Sequence, residues 1–288
     1  MIRPLTERWG DVVEAEGARG LESLDGGEVI ARFTERGAIL FRGFAPSSEA
    51  FAAFADRFSA RTLPALHAGL NRDRVAGDDR TMTVDLGSGA VGFHSEMGYS
   101  PASPDLLWFH CLAPAATGGE TVLADGVSML ARMDPALAAQ FRARRIKYVF
   151  RGAGAELWNL YLGEAVDRAH AAERLARVPG LAAAPRADGT FDLEYVTAAI
   201  RRTRFGAAEA FVNSIGIFES SEVCFEDGAP IDRALRLELA ALATDCSADV
   251  EWRAGDVLMI DNSRLMHGRL PFKDPARRIH VRMSAAGF

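Results

Sequence analysis

Lysine is almost missing from this 288-residue chain. Lys147 and Lys273 are the only two, and arginine supplies the rest of the 33 basic residues. Against them stand 39 Asp and Glu, a net charge of −6, which disfavours a nucleic-acid partner because a protein that neutralises phosphates presents a basic face. Cysteine is scarce too. Cys111, Cys224 and Cys246 are odd in number and have no paired spacing, which argues against a disulfide framework and suits a reducing, cytoplasmic location. No apolar run approaches the ~20 residues of a membrane span. The opening Met1-Ile-Arg-Pro-Leu-Thr-Glu lacks the apolar core of a signal peptide. The hydrophobic content of 49% is that of a soluble globular protein, and nothing divides the chain, so one domain over 1–288 is expected.

The periodicity that is present mixes helix and strand. Residues 1–27 are weakly patterned and read as a surface lead-in. Val29, Ile30 and Phe33 have helical spacing, and Ala38–Phe41 reads as a strand. Ser47 is a plausible N-cap for a helix with Phe51, Phe54, Ala55 and Phe58 on its apolar face. Residues 61–90 are polar and rich in Gly and Asp, and so long a loop in a compact protein is usually functional or mobile. Within it Asn71, Arg72 and Arg74 are candidate substrate contacts, or simply solvated loop residues. Leu106–Leu112 and Thr121–Ala124 read as core strands, and Val127–Met133 and Pro135–Arg144 as helices. Phe211–Phe218 is an apolar stretch that predicts a strand carrying one amide, Asn213. Asp232–Thr244 predicts an amphipathic helix, and Val257–Ile260 and Arg278–Met283 two more strands. Strands scattered among helices, without βαβ alternation, favour a mixed α+β fold, a double-stranded β-helix (jelly-roll) flanked by helices.

The chemistry-bearing residues are few. His94 and Glu96 are two apart, so on an extended strand they would share a face. With a distant His267 they form the two-His, one-carboxylate set of a mononuclear non-haem Fe(II) centre that leaves part of the metal open. The plainer alternative is that His94 is a hydrogen-bonded residue at a strand end. His267 follows Val257–Ile260 and an Asp261-Asn262 stop, which places it just past a strand. Arg278 and Arg282, four apart, would share one face of the last strand, where a guanidinium can clamp a carboxylate through two parallel hydrogen bonds. They could equally serve solubility on an edge strand. His67, His110, His170 and His280 read first as ordinary hydrogen-bonded histidines. His67 could also touch substrate, and His280, on the face of both arginines, could support them. Phe93, Met97 and Trp108 are candidates to shield a reactive centre, or core.

The stretches Gly37-Ala-Ile-Leu-Phe-Arg-Gly-Phe44, Phe93-His94-Ser-Glu96-Met, Gly118-Gly-Glu-Thr121-Val-Leu-Ala-Asp125, Gly255-Asp256 with Asp261-Asn262 and His267-Gly-Arg269, and Arg278 occur in one order over most of residues 28–288. Together they resemble the taurine dioxygenase/clavaminate synthase-like superfamily of Fe(II)- and 2-oxoglutarate-dependent oxygenases. The resemblance implies that His94, Glu96 and His267 bind Fe(II), and that Thr121 and Arg278 hold the far carboxylate of 2-oxoglutarate. It implies that Arg282 orients the co-substrate or a substrate anion, that 61–90 forms a lid, and that 145–230 is a large insertion between the two halves of the metal site. Many members carry Asp where this chain has Glu96. The Glu form resembles the clavaminate synthase branch and amino-acid hydroxylases of peptide natural-product pathways, which points to an amino-acid-like substrate, free or tethered to a carrier protein. A retained carboxylate argues against halogenation.

The expected reaction is hydroxylation of an unactivated C–H bond, with 2-oxoglutarate and O2 converted to succinate and CO2. Desaturation, epoxidation and sulfonate cleavage are open to the same family. Two readings of other classes compete: a non-catalytic metal-binding β-barrel sensor, and a zinc hydrolase, which would have no use for an arginine clamp.

Overall fold

The computed structural model describes residues 1–65 and 71–288. Its centre is a pair of facing sheets. The larger runs in the order Ile2–Pro4, Asp11–Glu14, Ala38–Arg42, Val257–Asp261, Leu106–Ala113, Arg278–Ala286, Asp78–Thr83 and Arg74–Val75, with Ser59–Thr62 also paired to the last strand. The smaller runs Ser247–Val250, Thr121–Asp125, Leu265–Arg269 and Val91–His94. Pairing is antiparallel except between Asp11–Glu14 and Ala38–Arg42. This is a jelly-roll barrel within a mixed α+β fold, and alternation along its strands explains where the core sits. Leu107, Phe109 and Cys111 face inward with Leu258, Ile260, Ile279, Val281 and Met283, meeting Leu123, Leu265 and Val250 from the smaller sheet.

The alternate residues of the same strands, Leu106, Trp108, Ile39, Phe41, Val257 and Met259, point outward and are covered by two helices. Gly26–Arg36 contributes Val29 and Phe33, and Ser48–Asp56 contributes Phe51 and Phe54. Each helix starts where a short oxygen-bearing side chain satisfies a free N–H: Asp25 accepts from Glu28 N and Ser47 from Ala50 N. The smaller sheet is backed by helices Gly126–Arg132, Pro135–Ala143 and Arg233–Asp245. Between them in sequence, residues 146–225 add a separate sheet in the order Leu181–Pro185, Phe191–Thr197, Ile146–Ala153, Val223–Phe225. Among the described residues no helix is long and apolar enough to cross a membrane.

Three stretches depart from the sequence expectations. Residues 1–27 are not a loose lead-in, because two strands there join the large sheet and Trp9, Val12 and Leu21 are buried. The polar 61–90 stretch contains the paired strands Arg74–Val75 and Asp78–Thr83, whose adjacent residues Thr81 and Met82 are buried. The strand read over Phe211–Phe218 ends at Phe211. Ser214 N then bonds the Tyr148 hydroxyl and a 3-10 turn forms over Ile215–Ile217, so the apolar residues bury without a ladder.

Candidate metal centre

His267 lies within the strand Leu265–Arg269 and sits opposite His94, the last residue of Val91–His94. The two rings are 4.1 Å apart, centroid to centroid. The chain then leaves the sheet, so Glu96 is carried by a turn and not by the extended strand expected for it. Met97 completes that turn with φ +52°, a left-handed conformation that a non-glycine residue rarely adopts. What holds the turn is Asn262. Its Oδ1 accepts from Glu96 N at 2.8 Å, and its Nδ2 donates to Glu96 O, Ser103 Oγ and Pro104 O at 3.0, 3.0 and 2.9 Å. Ser95 N adds a bond to Asn213 O at 2.8 Å. Asn213 therefore supports the turn through its backbone and does not line the cavity.

Glu96 Oε2 is 3.9 Å from His94 Nε2 and 3.6 Å from His267 Nε2. Two donors bound at roughly 2.1 Å to one ion can be no farther apart than about 4.2 Å, so both pairs can share an ion. All three side chains are buried. Burial pushes the His94 imidazole below its ordinary value, and burial together with the neighbouring His94 pushes His267 well below it. Both rings are therefore neutral and keep a lone pair for a metal. Gly92 O lies 2.9 Å from His94 Nδ1, which fixes the proton there and leaves Nε2 as the donor atom. A buried carboxylate faced by two lone-pair nitrogens calls for a cation, so the residues fit a metal ion. The Arg72 guanidinium, 3.2 Å from Glu96, already stands beside that carboxylate.

These residues open into a cavity of about 280 Å³ whose wall also includes Thr121, Arg277, Arg269, Phe109, Tyr99 and Ile217. Thr121 begins the strand beside Leu265–Arg269, and its hydroxyl accepts from Trp252 Nε1 at 3.0 Å. Arg277 reaches the same end of the cavity, donating from Nε to Gly119 O at 3.0 Å. Burial, with Arg269 nearby, pulls its guanidinium down to about 10, so it stays charged at neutral pH.

The arginine expectations are corrected here. Arg278 is exposed and lines a different, outer cavity. Arg282 is buried on the outer face, where Nη1 donates to Asp78 and Thr81 Oγ1 at 2.5 and 2.7 Å and Nη2 to Asp56 at 2.9 Å. For Arg282 the cause is strand parity: Ile279, Val281 and Met283 face the barrel interior, so Arg282 faces away, whereas Arg277 lies just before the strand, where the ladder shifts register, and lines the metal cavity from there.

The same parity removes His280 from the site and sets it across the sheet from His110, which packs on Phe51. Trp108 belongs to the outer layer, Phe93 packs with the insertion side, and Phe109 is the aromatic residue against His267, at 5.6 Å. His170 is exposed beside Asp167, and Arg74 lies on an exposed strand edge. Asn71 bonds Asp85, whereas Arg72 enters the cavity. His67 and the part of the 61–90 stretch from 66 to 70 lie outside the described residues. Sequence reasoning missed Asn262 as the staple, Arg277 and Trp252. Only Asn262 had a readable signal, a polar amide directly after a buried apolar strand.

Two imidazoles and a carboxylate converging in a jelly-roll barrel, with a threonine and an arginine farther along the same cavity, define the class of mononuclear metal-dependent oxygenases. Residues 1–284 match the family model described as taurine catabolism dioxygenase TauD, TfdA family, and the chain belongs to that family of dioxygenases. It is 23% identical over 264 residues to the dapdiamide synthesis protein DdaC of Enterobacter agglomerans, covering 83% of this chain and 80% of that one. It is 27% identical over 277 residues to a clavaminate synthase-like protein of Arabidopsis thaliana, covering 85% and 80%. The fold is shared with PvcB of Pseudomonas aeruginosa, at a TM-score of 0.65 and 16% identity over 99% of this chain and 91% of that one.

Proposed function

We propose that this chain is an Fe(II)- and 2-oxoglutarate-dependent oxygenase that hydroxylates an unactivated C–H bond of a small amino-acid-like substrate. The observation that carries the reading is the convergence of His94 Nε2 and His267 Nε2 on one Glu96 oxygen, inside a cavity that also holds Thr121 and Arg277. In it, His94, Glu96 and His267 hold the iron. With 2-oxoglutarate and O2 the iron supplies an oxidant strong enough for a C–H bond, leaving succinate and CO2.

The residues do the rest. Arg277 and the Thr121 hydroxyl bind the far carboxylate of 2-oxoglutarate and so fix its orientation, which lowers the entropy cost of reaction. Trp252 holds the Thr121 hydroxyl in place by donating to it. Phe109 packs against the His267 ring and keeps water from that side. Tyr99, in an aromatic cluster with Tyr148, Phe150 and Phe218, gives the cavity an apolar wall suited to a substrate side chain. The 61–90 stretch acts as the lid and 145–230 as the insertion that completes the substrate side. An amino-acid-like substrate is supported by relatives named for dapdiamide synthesis and, in a solved structure, for an isonitrile synthetic pathway.

The test is anaerobic reconstitution with Fe(II) and 2-oxoglutarate, reading the metal-to-ligand charge-transfer band. The band should form in the native chain and be absent in His94→Ala and His267→Ala. A metal-binding sensor without turnover would give the band but release no succinate when O2 is admitted with candidate amino acids.

A further inference from the structure

We propose that Arg72 anchors the substrate's carboxylate, so that the chain takes small carboxylate-bearing molecules through a cation carried by the segment after residue 70. The inference rests on the oxygenase reading above and names the substrate class for the same site.

The last strand cannot supply this anchor. After Arg277 its inward residues are Ile279, Val281 and Met283, all apolar, and Arg282 is committed to Asp56 and Asp78 on the other face. A cavity that holds 2-oxoglutarate and a second carboxylate at once must neutralise two anions. Among the described residues, the arginines on its wall are Arg72, Arg269 and Arg277. Arg277 sits at the Thr121 end. Arg269 is spent on the Asp85 side chain at 3.1 Å and on the carbonyls of Asp85 and Gly89, each at 2.8 Å. Arg72 remains, and it stands at the metal end.

The bonding of Arg72 is incomplete. Nη2 lies 3.3 and 3.2 Å from the two Glu96 oxygens, longer than the 2.7–2.9 Å of a strong charge-assisted hydrogen bond. Nη1 is buried and has no hydrogen-bond partner among the described residues. Leaving a donor dry and idle costs free energy, and a ligand carboxylate would recover it. The backbone that carries the Arg72 side chain is held in place. Its neighbours on both sides are stapled to the strand that leads into the cavity wall: Leu86 N donates to Asn71 O at 3.0 Å, Asp73 N to Thr83 Oγ1 at 2.9 Å, and Thr83 N to Asp73 O at 2.8 Å. Asn71 takes φ +56° to make that path, a left-handed conformation that asparagine tolerates better than most residues. Arg72 is thus presented from a fixed platform, with a spare donor beside the metal ligands, where an anchored substrate would have its neighbouring carbons near the iron.

The probe is [1-13C]acetate, added to protein loaded with Mn(II) and N-oxalylglycine, an unreactive analogue of 2-oxoglutarate, so that the metal and co-substrate positions are filled. Paramagnetic relaxation of the acetate carbon by Mn(II) should rise and saturate with protein concentration. In Arg72→Gln the apparent acetate affinity should fall at least about tenfold, the loss expected for one hydrogen bond to a charged group, with Mn(II) and N-oxalylglycine binding unchanged. Three results overturn the proposal: relaxation that never saturates in the native chain, equal affinity in the variant, or loss of Mn(II) in the variant, which would make Arg72 a support for Glu96. Failure of the native chain to bind Mn(II) and N-oxalylglycine would instead sink the oxygenase reading and this inference with it.

Discussion

Replacing Arg277 and Arg278 in turn by alanine separates two adjacent residues of which only Arg277 lines the metal cavity, although both border the outer one. Arg277 is partly buried at the Thr121 end of the cavity, and its charge is held there with its Nε on a backbone carbonyl. A bound carboxylate would take the remaining donors of its fork. Hydrogen bonds to a charged group contribute about 1.5–3 kcal/mol each, and solvent reaching a partly buried site reduces the total, so a loss of about 2–3 kcal/mol is expected. That corresponds to a roughly 30- to 150-fold weaker binding of 2-oxoglutarate. Arg278 is exposed and makes no contact with this cavity, so its removal should change binding by less than about twofold, the usual range for a surface substitution. The assay is anaerobic titration of Fe(II)-loaded protein with 2-oxoglutarate, followed by the charge-transfer band and checked by calorimetry. A larger effect at Arg278 than at Arg277, or no effect at Arg277, would refute the assignment of Arg277 to the co-substrate.

Three further outcomes follow from other contacts. Asn262→Ala removes five side-chain hydrogen bonds that tie Ser95 and Glu96 to Ser103 and Pro104 and should lower stability by about 2–4 kcal/mol, with a matching fall in Fe(II) affinity. Thermal unfolding with and without metal would show both, and an unchanged midpoint would contradict the staple. Arg282→Met removes a buried guanidinium from the partly exposed Asp56 and Asp78 and from Thr81, so stability should fall by about 1–3 kcal/mol while 2-oxoglutarate binding in the folded protein stays normal; impaired co-substrate binding would return Arg282 to the site.

The third concerns pH. His110 is pulled down to about 4, chiefly by burial and then by His280 across the sheet. The unfolded chain binds this proton near pH 6.5 and the folded chain does not, so the unfolded state gains protons first as pH falls. Stability linked to His110 is therefore whole above about 6.5 and drains away between 6.5 and about 4, by roughly 2–3 kcal/mol. His110→Gln should flatten that part of the metal-free stability curve, and an identical slope in the variant would refute the account.

Much of the barrel could be read from pattern because its strands obey simple rules. Leu106–Ala113 and Val257–Asp261 are continuous apolar runs, as strands buried on both faces must be, and Ser47 and Asp232 mark helix starts by their own hydrogen bonds. The misreadings share one cause, dependence on partners distant in the chain. Arg277 and Arg278 are identical side chains side by side, and nothing in the local sequence says which of them lines the metal cavity. Glu96 looked like a strand residue because nothing local announces that Asn262 will fold its turn. Phe211–Phe218 has strand composition, yet Tyr148 and Ser95 capture its backbone and side-chain groups and stop the ladder.

The last strand thus splits its faces, with the apolar interior beside the proposed co-substrate arginine on one side and the mortar of the large sheet on the other. A one-residue slip of that strand along Leu106–Ala113 would exchange the two faces at once, bringing Arg282 toward the interior and setting Ile279, Val281 and Met283 against Asp56 and Asp78, so that binding and folding would fail together.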